Sequence, residues 1–298
     1  MPAAITHYLL AERIEKQNKE AIKSKNALFW GAQGPDIFFC HRLFPWQVGN
    51  TIRAYGTRLH HEKPGRLLES MRRALEQTEP GQFEVVKSYL CGFLCHYSLD
   101  RVGHPFVRYG AEMLHKKNPA DSVSIYHHQI ETMLDVILLR YECGMLPVDF
   151  NLKKTLPKDT AVQSAIARFY QKVLFLLFSV QESERQLFQM TDDARIAYRR
   201  MNDRTMLKKP FLERLEKHTK YGRIVSCHIR SISEEDGYDY ANMQGSEWED
   251  AGIIRTDSFF DLFEYSVADA QSLIRGFFAG EDLTQLTKNI SFYGEEEK

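Results

Sequence analysis

A charge imbalance is missing from this chain: 39 lysines and arginines stand against 40 aspartates and glutamates in 298 residues. It therefore carries no broad field for gathering DNA, RNA or an anionic lipid surface. Long apolar runs are missing too. The longest, VLFLLFSV at 173–180, is far too short to cross a bilayer and suits a buried turn of helix. The first 25 residues show no apolar core leading to a small-residue cleavage site, and His7 and Glu12 interrupt their one apolar stretch, so no export signal is read there. Cysteine is sparse and odd in number, five in all, which excludes a disulfide-built scaffold and fits a reducing compartment. The chain reads as cytoplasmic. Cys91 and Cys95, one helical turn apart, read as small buried hydrophobes rather than ligands. Strict two-residue alternation is scarce, which excludes an extensive sheet.

What is present instead is helical periodicity, and the fold class it predicts is all-α. In 81–102 the residues Phe83, Val86, Leu90, Phe93, Leu94 and Tyr97 recur at three- and four-residue steps as one buried stripe. Residues 124–142 repeat the pattern, 159–182 and 258–279 read as helices, and 191–206 reads as a weaker one. The stretches 143–159 and 231–258 break the periodicity but keep aromatic and aliphatic residues, so they read as ordered loops on one helical domain spanning 1–298. Only the acidic tail GEEEK reads as frayed.

Histidine carries the chemical signal: nine of eleven fall before residue 129. His96 and Asp100 are four apart, so they share a helix face at the edge of the apolar stripe and can grip one ion. Gly92, a turn earlier, reads as leaving room for that site. Gly103 and Pro105 read as a helix end that turns His104 off the axis, towards a second ion. In HHQIETMLD, His127, Glu131 and Asp135 form another row; His127 falls in the apolar stripe, whereas His128 is rotated about 100° away, which favours His127. Upstream, Asp36 in GAQGPDIFF reads as a ligand or a helix cap. Of His60 and His61 in RLHHEKPG, one reads as a ligand and the other as a surface residue. His7 stands in ITHYLLA.

The order THY, GPD, LHH, HYSLDRVGHP and HHQIE across roughly 6–135 resembles the zinc-dependent phospholipase C family, which includes secreted bacterial phospholipases and alpha-toxins. The resemblance implies a first zinc ion (Zn2+) held by Asp36, His60, His96 and Asp100, and a second by His104, His127 and Glu131. A third in the family shares the helix aspartate, here Asp100, with an early histidine, here His7, and the amino end of an N-terminal tryptophan; MPAA offers no such tryptophan, so two ions are expected. Ile37 follows Asp36 where choline-specific relatives carry an aromatic residue; Phe38 and Phe39 are candidates to substitute.

These residue types suit zinc independently of the resemblance, since imidazole and carboxylate bind it and an open coordination position acidifies water to supply hydroxide near pH 7. Two ions also offset the charge that builds on phosphodiester oxygens during in-line displacement. Asp36 is in addition a candidate to orient or deprotonate the attacking water. Asp135 reads either as a partner to a ligand histidine or as a solvated residue. Tyr238, Tyr240 and Trp248, in a stretch resembling one near the site in relatives, read as a substrate wall or as anchors of an ordered loop. The expected activity is phosphodiester hydrolysis of phospholipase C type, on a phospholipid head group reached by transient membrane contact or on a small soluble phosphodiester. The rivals are a single-strand nuclease built on a similar metal framework, which the near-zero charge disfavours, and a helical metal-binding scaffold without turnover.

Overall fold

The computed structural model describes residues 3–18, 20, 22–232 and 237–296. It is all-α. In chain order come α1 (Ala4–Gln17), α2 (Lys25–Ala32), a 3-10 helix (Gly34–Cys40), α3 (Ala54–His60), α4 (Pro64–Glu76), α5 (Pro80–Lys117), α6 (Val123–Cys143), α7 (Thr160–Phe178), α8 (Glu184–Met201) and α9 (Lys208–Glu216). An antiparallel hairpin, β1 (Trp248–Asp250) with β2 (Ile253–Arg255), precedes α10 (Phe259–Ala279) and α11 (Leu283–Thr287). The segment 143–159 is a loop with one 3-10 turn, and the hairpin lies within 231–258.

The long helix α5 is the axis against which α2, α6 and α10 pack. Its crossing with α2 is backbone to backbone: a Cβ added at Gly92 would lie 2.0 Å from the Leu28 carbonyl oxygen, and one at Gly31 would lie 1.9 Å from that of Tyr89. Gly92 thus serves the helix crossing, where only glycine fits, and does not make room at the ion site. Cys91 and Cys95 are buried, and burial pushes the Cys91 thiol up to about 12.

α5 does not stop at Gly103–Pro105; Pro105 lies inside it. A proline there removes one helical hydrogen bond and costs about 3 kcal/mol. Burial of Phe106, Val107 and Leu114 beyond it contributes about 1.5–3 kcal/mol for each, which outweighs the break. Phe106 packs edge-on to Trp248, and the C-terminal segment closes over the proline, with Gly294 so near that a Cβ would meet Pro105 Cγ at 2.4 Å. His104 therefore stays on the helix, in one row with His96 and Asp100.

The tail is folded back rather than frayed as far as Glu296: Ile290 bridges to Glu296 and Glu295 pairs with Arg108. Residues 297 and 298 lie outside the described residues, as do Met1 and Pro2 of MPAA, and Asp236 in the expected wall stretch.

Asp135 partners no histidine. It is buried and accepts from the Thr6 amide at 2.7 Å, the Thr6 hydroxyl at 2.8 Å and the Arg230 guanidinium at 2.5 Å. It fixes α1 and the 225–232 region onto α6, and so sets the position of His7 indirectly. Asp135→Ala is expected to cost about 3–5 kcal/mol, because it breaks the buried ion pair with Arg230 and removes the acceptor of both Thr6 bonds; a thermal denaturation curve measures the loss.

Candidate metal centre

Five elements bring their side chains to one cleft of about 450 Å³, lined by Asp36, Phe39, His60, Asp100, His104, His127, His128, Glu131 and Tyr293 among others. His7 comes from α1 and Asp36 from the 3-10 helix. His60 ends α3, His96, Asp100 and His104 form the row on α5, and His127 and Glu131 lie on α6. The 3-10 helix passes His96 only because Gly34 takes φ +51° and lacks a side chain; a Cβ there would lie 2.2 Å from the imidazole.

Asp100 is the hub. Its Oδ1 lies 3.2 Å from His7 Nε2 and 3.9 Å from His104 Nε2, while its Oδ2 lies 3.1 Å from His96 Nε2 and 3.9 Å from His60 Nε2. Asp36 Oδ1 is 3.3 Å from His60 Nε2. Glu131 Oε1 stands 3.3 Å from His127 Nε2 and 3.7 Å from His104 Nε2. Three sets of donor atoms each fall within 4.8 Å of one another: His7, His96 and Asp100; Asp36, His60 and His96; His104, His127 and Glu131.

The far nitrogens fix the rings. Nδ1 lies 2.8 Å from the Gly56 carbonyl oxygen in His60, 3.2 Å from that of Ala32 in His96 and 2.5 Å from that of Phe292 in His104. A carbonyl can only accept, so each Nδ1 carries the proton, and in the neutral ring Nε2 turns a lone pair towards the carboxylates. Lone pair against carboxylate is repulsive unless the ring takes a second proton or a cation sits between them. For His104 the second proton answers. Burial lowers the His104 pKa, but Asp100, Glu131 and the Phe292 carbonyl outweigh it and push the ring up to about 9. Burial works against ionisation of Asp100 and Glu131 also, yet neighbouring imidazoles hold both well below the usual carboxylate range.

The donor chemistry fits a divalent ion better than it fits protons. His7 Nδ1 is buried with no hydrogen-bond partner, and His96 Nε2 is buried facing the Asp100 carboxylate at 3.1 Å without a well-aligned hydrogen bond, a state that costs free energy unless something else binds the nitrogen. Imidazole nitrogens and carboxylate oxygens, with ring N–H groups pinned on backbone carbonyls, are the donor set and outer support of a zinc site.

His61 is exposed and its Nδ1 meets the Thr57 carbonyl, so of the pair it is His60 that enters the cleft. Phe39 lines the cleft and stacks on His60 at 5.7 Å. Phe38 does not: it is fully buried, edge-on to Tyr170 at 4.8 Å, because successive residues of the tight 3-10 turn point in different directions. Tyr238 and Trp248 line a separate small pocket with Phe106, Tyr109 and Ile130. Trp248 is buried and its indole N–H donates to the Asp257 carbonyl, so it anchors the hairpin instead of walling the metal cleft. The N-cap of the 3-10 helix is Gln33, and Asp36 stands within its first turn.

Three participants escape the sequence reading. His128 lines the cleft and reaches Glu131 Oε2 at 3.4 Å; its i,i+3 spacing to Glu131 is a signal that could have found it. Tyr293 stacks on His104 at 5.6 Å, and Phe292 packs on His60 at 5.0 Å. Nothing local in SFYGE marks these two.

Residues 1–184 match the pattern of a family described as zinc dependent phospholipase C. No curated protein and no solved structure matches the chain. The matched span holds every expected ligand, while Phe292 and Tyr293 lie beyond it.

Proposed function

Because the chain belongs to the zinc-dependent phospholipase C family, we propose that it hydrolyses phosphodiesters at the cleft centred on Asp100, with a phospholipid head group as the leading substrate and a small soluble phosphodiester as the second. The observation that supports this most is that three donor sets meet in one cleft, with Asp100 a member of one and within 3.9 Å of a histidine from each of the other two. Asp36, His60, His96 and Asp100 would hold one zinc ion and His104, His127 and Glu131 another; His7 faces Asp100 as part of a third set. Bound zinc supplies Lewis acidity, which acidifies water and offsets phosphate charge.

The chain's own residues do the rest. Asp36 lies at the cleft surface, where a carboxylate can orient the attacking water and take its proton. Phe39 and Tyr293 offer ring faces beside the ligands His60 and His104, and hold them in place by stacking. Residues 1–298 act as one domain in this reading, since Phe292 and Tyr293 complete a cleft whose ligands come from 7–131.

The test compares phosphatidylcholine with single-stranded DNA as substrate. Hydrolysis of the lipid with release of its phosphorylated head group is expected; preferential cleavage of DNA would shift the reading to the nuclease rival, and turnover of neither would favour the scaffold.

A further inference from the structure

We infer that the surface formed by α9 and the segment after it docks onto an anionic phospholipid bilayer and sets the metal cleft against it. This rests on the lipid reading of the cleft.

α9 is inside out. Leu207, Phe211 and Leu215 recur at four-residue steps, one row of a helix, and a surface helix ordinarily turns such a row inward. Here they are 71%, 62% and 52% exposed, and Tyr221, Ile224 and Val225 extend the patch. The buried side is polar instead. Lys209 is buried, with Nζ donating to the Ser231 hydroxyl at 2.5 Å and its amide to Asp203 at 2.9 Å. Glu216 is buried and accepts from the amides of Val225 at 2.6 Å and Ser226 at 3.2 Å. These bonds fix the helix orientation, so the apolar row faces outward by construction.

The fringe of the patch is cationic. Arg214, Lys217 and Lys220 are exposed, whereas Glu213 is half-buried and Glu216 buried, so no exposed acidic residue lies from Leu207 to Val225. An apolar row whose exposed charged neighbours along the segment are all cations matches a layer of acyl chains beneath anionic head groups. It suits a second copy poorly, because a two-fold contact would lay these cations against their own equivalents.

The patch adjoins the cleft. Arg223 donates to Asp121 at 2.7 Å and to Gln129 at 2.6 Å. The Thr132 hydroxyl donates to the Cys227 carbonyl at 3.2 Å, and the His228 ring lies 4.5 Å from that of His128. The segment thus runs along the start of α6, whose Val123, Ser124, His127 and His128 line the cleft; Val123 is itself exposed.

Co-sedimentation of the full chain with phosphatidylcholine vesicles, with and without phosphatidylserine, tests this. Turnover of a soluble chromogenic phosphodiester is measured alongside. The wild type should partition onto the serine-containing vesicles and release in high salt. Phe211→Asp with Leu215→Asp should weaken partitioning about tenfold per residue, and Arg214→Glu with Lys217→Glu about fivefold per charge removed. Both variants should keep soluble turnover and thermal stability, since the substituted side chains are exposed. The proposal is overturned if the wild type ignores both vesicles, if the aspartates leave partitioning unchanged, or if their effect is to split a dimer formed without lipid. Partitioning without any soluble turnover would sink the hydrolase reading and leave the docking surface standing.

Discussion

Asp100→Asn is expected to cut phosphodiester hydrolysis by about a thousandfold or more. Asp100 faces four imidazoles, two from each carboxylate oxygen, at 3.1–3.9 Å. The amide keeps its size and shape, so the packing of α5 is untouched. It loses the charge and replaces one acceptor with an N–H pair, on a side where ring lone pairs need a cation. Lewis-acid stabilisation of a phosphoryl transition state contributes several kcal/mol, and about 4 kcal/mol is a thousandfold. Activity and metal content, measured on the same preparation, should fall together. Unchanged turnover in the variant would rule Asp100 out as the hub.

Asp36→Asn should separate catalysis from stability. Activity is expected to fall about a hundredfold, the scale of a lost general base. The melting temperature should shift by only about 2–4 °C, as for a change near 1 kcal/mol in a chain of this size. The asymmetry follows from the surroundings: Ile37, Phe38 and Cys40 are fully buried and hold the 3-10 helix whether residue 36 is acid or amide. Steady-state kinetics beside a melting curve distinguish the alternatives. A site kept only for stability would show the reverse, a large thermal loss with no turnover to lose.

Periodicity made the long helices legible because their burial is continuous: the stripe through Val86, Leu90, Phe93 and Leu94 lies in the core. The rows of histidine and carboxylate on α5 and α6 were legible for the same reason, since four-residue spacing on a helix fixes a shared face whatever packs against it. The end of α5 was not. Pro105 obeys a local rule that predicts a stop, and the contacts that override it come from Trp248, Phe259 and Gly294, far away in sequence. The Phe292 carbonyl that orients His104 is 188 residues from it, beyond the reach of any spacing argument. Asp135 shows the opposite error, in which a helical row suggested a histidine partner while the tertiary fold supplied Thr6 and Arg230. His127, preferred over His128, does face Glu131, but Glu131 has two oxygens and the i,i+3 histidine reaches the other one.

Zinc content, read by elemental analysis on protein purified without added metal and paired with a chelation assay, bears most directly on the centre. About two zinc ions per chain are expected, with phosphodiester turnover lost on stripping and regained on adding zinc back. Protein that carries no zinc and turns over substrate undiminished in chelator would contradict it.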